Sequence, residues 1–253
     1  IPLRGKSGAC PNRGRKRAYG VGFMKRLPYD AISLRNGRRT NMDSLLVRER
    51  TIAGQPVRLA VVCDGVGSLV HGAYAAAAAV EKMGRWFGEL ASLERLGLRL
   101  RDAVLAADQQ IASEACAQGL RTAATFSAIL LSQGRYYLAH VGDSRVYSWD
   151  GCALRQLTVD ERTEDGRLTA CIGCGRAASP QYGEGTATGM WFLLCTDGLY
   201  KRMDAEYLCK GLKQLRERKP GDILRGWAQY VISCGEQDNI SAVLLGDGGR
   251  RRI

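Results

Sequence analysis

The stretch LAVVCDGVG, residues 59–67, decides how this chain folds. Leu59, Ala60, Val61, Val62 and Cys63 are apolar without alternation, the pattern of a strand covered on both faces. The run stops at Asp64-Gly65, and Gly67 follows. A carboxylate at the mouth of a buried strand is costly unless a cation or a donor compensates it. Glycines beside it let a ligand approach the backbone. The pattern returns in WFLLCTDG, residues 191–198, and in shorter form at Gln237-Asp238-Asn239, which leads into the strand-like ISAVLL. Any one Asp-Gly reads as a turn. Three aspartates delivered together by strand ends form the oxygen set that hard cations such as Mg²⁺ and Mn²⁺ prefer.

The 253 residues, 45% of them apolar, suit one domain that buries roughly 70–75% of its unfolded surface. Uneven motif spacing and the lack of a linker favour one domain over two. No apolar run is long enough to span a bilayer, and the basic N-terminus lacks the apolar centre of a signal peptide. The nine cysteines are odd in number, and Cys63 and Cys195 lie inside apolar runs. They read as reduced thiols of a cytoplasmic protein. The net charge of +12 is concentrated at the ends. Residues 1–23 carry Arg4, Lys6, Arg13, Arg15, Lys16 and Arg17 without an acid, and Arg250, Arg251 and Arg252 close the chain, leaving only +3 for residues 24–249. Such tails hold polyanions weakly at most, so no specific nucleic-acid partner is expected. Residues 1–23 read as a disordered basic extension, 24–247 as the folded domain and 248–253 as a basic tail.

Along the domain, residues 31–34 and 45–47 read as short strands around a glycine turn, and residues 50–56 as a hairpin loop leading into the opening stretch. An alanine-rich helix is expected over residues 72–90 and a second over 93–118. Residues 125–132, 135–141, 145–149 and 153–157 read as an antiparallel meander with turns at Gln133-Gly134, Gly142-Asp143 and Asp150-Gly151. Residues 160–189 are polar, rich in glycine and expected to be loops. Residues 191–195 return to a strand, 204–218 and 221–234 read as helices, and 240–245 as a closing strand. The pattern predicts an α+β fold, a four-layer α-β-β-α sandwich of two antiparallel sheets flanked by helix pairs.

The motifs in this order resemble the metal-dependent protein phosphatase family, also called protein phosphatase 2C, over residues 24 to about 246. Arg38-Arg39-Thr40-Asn41-Met42-Asp43 is similar to the family's Arg-x-x-Asn-Glu-Asp, and Asp64-Gly65-Val66-Gly67 to its Asp-Gly-Met-Gly. Residues 122–125 stand at its Gly-Thr-Thr. Val141-Gly142-Asp143-Ser144-Arg145 is the most specific match, with Gln156-Leu157-Thr158 downstream. Residues 168–173, Leu194-Cys195-Thr196-Asp197-Gly198 and Asp238-Asn239-Ile240-Ser241 complete the set.

The resemblance implies a bacterial-type serine/threonine phosphoprotein phosphatase that reverses kinase signalling. Two Mn²⁺ or Mg²⁺ ions would be held by Asp64 as the bridge, the Gly65 carbonyl, Asp197 and Asp238. A third, weaker ion would sit at Asp143. A water between the ions would attack phosphorus, and Arg38 would grip the phosphate with its planar fork, with Arg39 as its alternate. Asp43 and Asn239 would stand behind the ligands and orient them. The implied partners are phosphoserine and phosphothreonine proteins and a Ser/Thr kinase, and the chain is expected to be a monomer. The alternative is a non-catalytic module of the same fold with a binding or regulatory role.

This chain departs from the family pattern at several points. Met42 replaces a polar residue, Val66 stands where some members carry a histidine acid, and Glu161 replaces an Asp-His start. The segment 160–168 is short for the family's flap, which implies minimal or altered substrate recognition. His71 reads as a surface or capping residue. Cys171 and Cys174 form a lone CxxC, which reads as a thiol pair near the flap rather than a zinc site.

Overall fold

The computed structural model describes residues 28–248. The opening stretch is the end of β3 (Gln55–Cys63), and every residue from Val57 to Cys63 is buried. It is enclosed because β2 (Ser44–Ile52) and β4 (Phe126–Ser132) flank it while a helix layer and a second sheet cover its faces. The Ile52–Gln55 turn joins β2 to β3 in register, with Ser44 opposite Cys63. The one charged residue in the strand, Arg58, pairs with Glu49 directly across the ladder and lies over the Tyr29 ring.

The first five-stranded sheet has the order β2-β3-β4-β5-β8, adding β5 (Arg135–Val141) and β8 (Gln181–Thr186). The second has the order β1-β10-β9-β6-β7, built from β1 (Tyr29–Leu34), β10 (Ile240–Gly246), β9 (Trp191–Cys195), β6 (Arg145–Trp149) and β7 (Leu154–Gln156). All pairings are antiparallel.

Two helices cover the first sheet. In α1 (Gly72–Glu89), Ala75, Ala76, Ala79, Met83 and Phe87 recur at helical spacing and are buried, and the small alanines let the helix sit close. In α2 (Leu96–Ala117), Leu96, Leu100, Val104, Ile111 and Ala115 make the matching stripe. On the second sheet lie α4 (Ala205–Lys213) and α5 (Pro220–Ser233). Asp204 starts α4 by accepting the Tyr207 amide at 2.7 Å. Gly211 lets the Trp227 indole close against α4, because a Cβ there would lie 2.5 Å from the ring nitrogen. Apolar clusters fill the three spaces between layers: helices against first sheet, sheet against sheet, and second sheet against helices. This is the predicted four-layer sandwich.

The structure differs from the sequence expectation in three places. The expected meander is divided: β4 and β5 stay in the first sheet while β6 and β7 belong to the second. The chain changes sheet at Gly142, whose φ of +104° is open to glycine. Within the expected loop region, Gln181–Thr186 forms the edge strand β8, paired with β5. Its Gly183 and Gly185 weaken the strand signal, yet Gly185 faces Tyr136, whose ring would lie 2.8 Å from a Cβ. Asp197-Gly198 opens a short helix, α3 (Asp197–Tyr200), instead of a turn. The expectations for residues 1–23 and for the terminal arginines fall outside the described residues.

Candidate functional site

The topology brings the ends of several strands to one end of the sandwich. There β3 releases Asp64, β9 releases Asp197, β5 runs out toward Asp143, and Asp43 and Asp238 precede β2 and β10. Four of these aspartates border a cleft of about 810 Å³ whose wall includes Arg38, Asp64, Gly65, Asp143, Asp197 and Asp238. Every residue expected to act on metal or phosphate therefore meets in one cleft. Asp43 lies behind it, 7% exposed, and Asn239 is part of its wall.

The backbone at Asp64 is tightly fixed. Its amide donates to the Thr125 hydroxyl at 2.9 Å, and its carbonyl accepts the Thr125 amide at 2.8 Å. Gly65 pairs with Ala124, and a Cβ on Gly65 would fall 2.6 Å from the Gly72 backbone and 2.8 Å from the Met42 carbonyl. Only glycine fits there. Thr122 sits at the start of α1, donating to the His71 carbonyl at 2.6 Å and accepting the Ala75 amide at 3.0 Å. His71 occupies the N-cap position but its side chain caps nothing.

Charge is the organising feature. Burial first, then the carboxylates of Asp43, Asp197, Asp238 and Asp143, hold the Asp64 carboxyl well above the ordinary carboxylate range. Burial pushes Asp43 up to about 6 against the hydrogen bond it accepts from Thr196, with repulsion from Asp197 and Asp238 adding to the rise. Burial and then Asp197 push Asp143 up to about 6. Asp238 goes the other way: burial would raise it, but Arg38 donates Nε at 2.8 Å and a terminal nitrogen at 2.7 Å and brings it below its usual value. Asp197 is held by the Lys201 ammonium at 2.5 Å, one helical turn on.

As the side chains stand, no three acidic, histidine or cysteine groups among the described residues converge on a single metal position. Arg38 and Lys201 each pair with one of the carboxylates, Asp238 and Asp197. The donor set nevertheless suits a hard cation. It is all oxygen, and two of its atoms, Asp43 Oδ1 and Asp197 Oδ1, are buried without a hydrogen-bond partner. A buried carboxylate oxygen left so is expensive unless a cation meets it.

Several residues hold the site through contacts that the sequence does not announce. Asn239 donates to the carbonyls of Arg35 and Thr40 at 2.8 and 3.1 Å and accepts the Met42 amide at 2.9 Å. Its side chain thus holds the loop that carries Arg38, while its backbone amide donates to Asp238 Oδ1 at 2.9 Å. Glu161, which the sequence marks as a departure, accepts the Gly142 amide at 2.7 Å. His140 bonds the Gly142 carbonyl through Nε2 at 3.0 Å and Ser127 through Nδ1 at 2.9 Å. Since a carbonyl only accepts, the Nε2 atom carries the proton. Burial lowers the affinity of this imidazole for a second one. Together Glu161 and His140 fix the turn that presents Asp143. Lys201 was legible in principle, because Asp197 and Lys201 stand at i and i+4.

On the rim, Arg145 forks onto Asp160 at 2.9 and 2.7 Å and stacks over the Tyr200 ring. Arg162 reaches Asp160 at 3.4 Å and Asp143 at 4.0 Å. The short flap folds back on itself through the Arg162–Leu168 bridge, and Gly166, Arg167 and Leu168 line the cleft.

The model of one known family, protein phosphatase 2C, matches residues 40–244. Comparison with solved structures gives the same fold. A bacterial serine phosphatase aligns with a TM-score of 0.81 at 20% identity, covering 89% of this chain and 99% of that one. The serine/threonine phosphatase Stp1 from Staphylococcus aureus aligns with a TM-score of 0.79 at 19% identity, covering 88% and 95%. The catalytic domain of the serine threonine protein phosphatase PstP, in complex with 2 manganese ions, aligns with a TM-score of 0.74 at 25% identity, covering 87% and 97%. No curated protein matches the chain.

Proposed function

The chain belongs to the protein phosphatase 2C family, and on that footing we propose that it is a metal-dependent protein-serine/threonine phosphatase that hydrolyses phosphomonoesters. The observation that carries this reading is the carboxylate cluster itself. Strand ends from both sheets deliver Asp64, Asp143, Asp197 and Asp238 to one cleft with Asp43 behind it, two carboxylate oxygens are buried without a partner, and a guanidinium lies in the wall.

Two Mn²⁺ or Mg²⁺ ions would be held by Asp64, the Gly65 carbonyl, Asp197 and Asp238, with Asp143 at the edge of the cluster for a weaker third. When bound, such ions supply an activated water and neutralise charge on the phosphate. This chain's residues do the rest. Asp43, held by Thr196, sets the charge behind the ligands. Asn239 holds the loop that carries Arg38. Arg38 forks onto Asp238, and with Asp238 engaged as a metal ligand that fork would be free for the phosphate oxygens. No imidazole lines the cleft among the described residues, and Val66 offers no proton, so no histidine of the cleft wall protonates the leaving alkoxide.

The substrates proposed are phosphoserine and phosphothreonine proteins of a kinase pathway, met by a monomeric enzyme in the cytoplasm. No helix of the described residues is long and apolar enough to cross a membrane. Hydrolysis of p-nitrophenyl phosphate with Mn²⁺, comparing wild type with Asp197→Asn, tests the reading. Turnover should be metal-dependent and fall by orders of magnitude in the variant. Equal rates with and without metal, or in both proteins, would leave the fold as a binding module.

A further inference from the structure

The CxxC that the sequence singles out is not used by this chemistry, yet it lies in the cleft wall. Cys171 and Cys174 both border the cleft. Cys171 is half-buried and Cys174 exposed, both as free thiols. Three residues apart in one tight turn, the pair is close enough for Cys174 Sγ to approach the Cys171 carbonyl at 3.7 Å.

The loop that brings them together is strongly held. Gly173 and Gly175 take φ of +74° and +81°, which turn the chain back on itself. The buried carboxylate of Asp108 accepts the Gly173 amide at 2.7 Å and the Ala178 amide at 2.9 Å. Ile172, between the cysteines, exchanges both backbone hydrogen bonds with Ala124, at 2.9 and 3.1 Å. Ala124 in turn pairs with Gly65. The thiol pair therefore connects by an unbroken run of backbone contacts to the strand end that carries Asp64.

We propose that Cys171 and Cys174 are a reversible dithiol–disulfide site on the wall of the cleft, oxidised by low-molecular-weight disulfides. Cys174, the exposed member, attacks as thiolate one sulfur of the small disulfide. A mixed disulfide forms on Cys174 and one small thiolate leaves. Cys171 then gives up its proton and attacks the Cys174 sulfur, expelling the second small thiolate. Two protein thiols lose two electrons and two protons, and the small disulfide is reduced to two thiols. Burial pushes the Cys171 thiol up to about 12, so the order of attack is Cys174 first. The closed ring spans Ile172 and Gly173, and its closing moves the backbone that supports Gly65. Oxidation should therefore lower turnover several-fold and reversibly, a consequence that rests on the phosphatase reading.

The test uses the full chain with glutathione disulfide, followed by alkylation of remaining thiols and trypsin. Cleavage after Arg167 and Arg176 leaves both cysteines in one peptide, residues 168–176. That peptide should lose two hydrogens, escape alkylation, and recover on reduction with dithiothreitol. In Cys171→Ser the reaction should stall with one glutathione on Cys174. Alkylation of both cysteines while the exposed Cys116 and Cys152 take up glutathione would overturn the site. So would a Cys171→Ser protein without the trapped adduct. Hydrolysis of p-nitrophenyl phosphate should fall with oxidation of wild type and hold steady in Cys174→Ser. A disulfide formed with unchanged turnover overturns the coupling to the cleft. Failure of the phosphatase reading instead shows as no turnover even in the reduced protein.

Discussion

Asp64→Asn should stabilise the metal-free protein while abolishing its catalysis. The folded chain raises Asp43 and Asp143 to about 6 and holds Asp64 well above its ordinary value, against roughly 3.9 for an unfolded aspartate. Between these values the folded state holds protons that the unfolded state has released. Stability of the metal-free protein therefore falls as pH rises from roughly 4 through 6 and is lowest above that window. At about 1.4 kcal/mol per unit, the rise at Asp43 or Asp143 corresponds to about 3 kcal/mol each near neutral pH. That is a large share of the roughly 5–15 kcal/mol that holds a domain together. Removing the Asp64 charge relieves its own burial and part of the repulsion on Asp43. A gain in stability is expected at pH 8, with a smaller one at pH 4.5, where the folded carboxyl holds its proton and only the unfolded one is ionised. Urea unfolding in EDTA at the two pH values, followed by tryptophan fluorescence, measures this directly. A variant less stable than wild type at pH 8, or equally stabilised at both pH values, would refute the electrostatic account of the cluster.

Arg38→Ala removes the fork proposed for the phosphate and should lower kcat/KM by about 3 kcal/mol, roughly 100-fold, measured by steady-state hydrolysis of p-nitrophenyl phosphate. Lys201→Met frees Asp197 from a competing cation, so titration calorimetry should show Mn²⁺ binding tighter by about fivefold, near 1 kcal/mol for a half-exposed pair. Gly65→Ala drives a methyl into the Gly72 backbone at 2.6 Å. It should cost at least about 2–3 kcal/mol of stability in thermal unfolding. Deleting residues 1–23 and the terminal arginines should remove heparin binding while leaving hydrolysis unchanged.

The parts of the structure legible in the sequence were those written in local pattern. Leu59 to Cys63 announces a doubly covered strand because its apolar run does not alternate, and the aspartates stand out because nothing apolar explains them. The helices of each outer layer follow from apolar spacing alone. What stayed hidden depends on partners distant in sequence. Gly142 gives no hint that the chain changes sheet there, since a glycine between strands reads equally well as a hairpin turn. Gly183 and Gly185 hide β8, whose pairing with β5 rests on the Tyr136 ring opposite. His140 looks like one residue of an alternating strand, and only the folded turn shows that it fixes the Gly142 carbonyl. Asn239 reads as a neighbour of the metal ligands, but its amide reaches across 204 positions of sequence to hold the Arg38 loop. Arg38 itself reads as a phosphate group's partner, and its hold on Asp238 shows only once the two ends of the domain meet.

The most direct test of the central claim is phosphate release from a phosphoserine peptide in the presence of Mn²⁺, with wild type and Asp64→Asn side by side. The carboxylate cluster predicts metal-dependent release by wild type and a fall of at least about 1,000-fold in the folded variant. Release that persists in Asp64→Asn, or that ignores chelation of the metal in wild type, would contradict it.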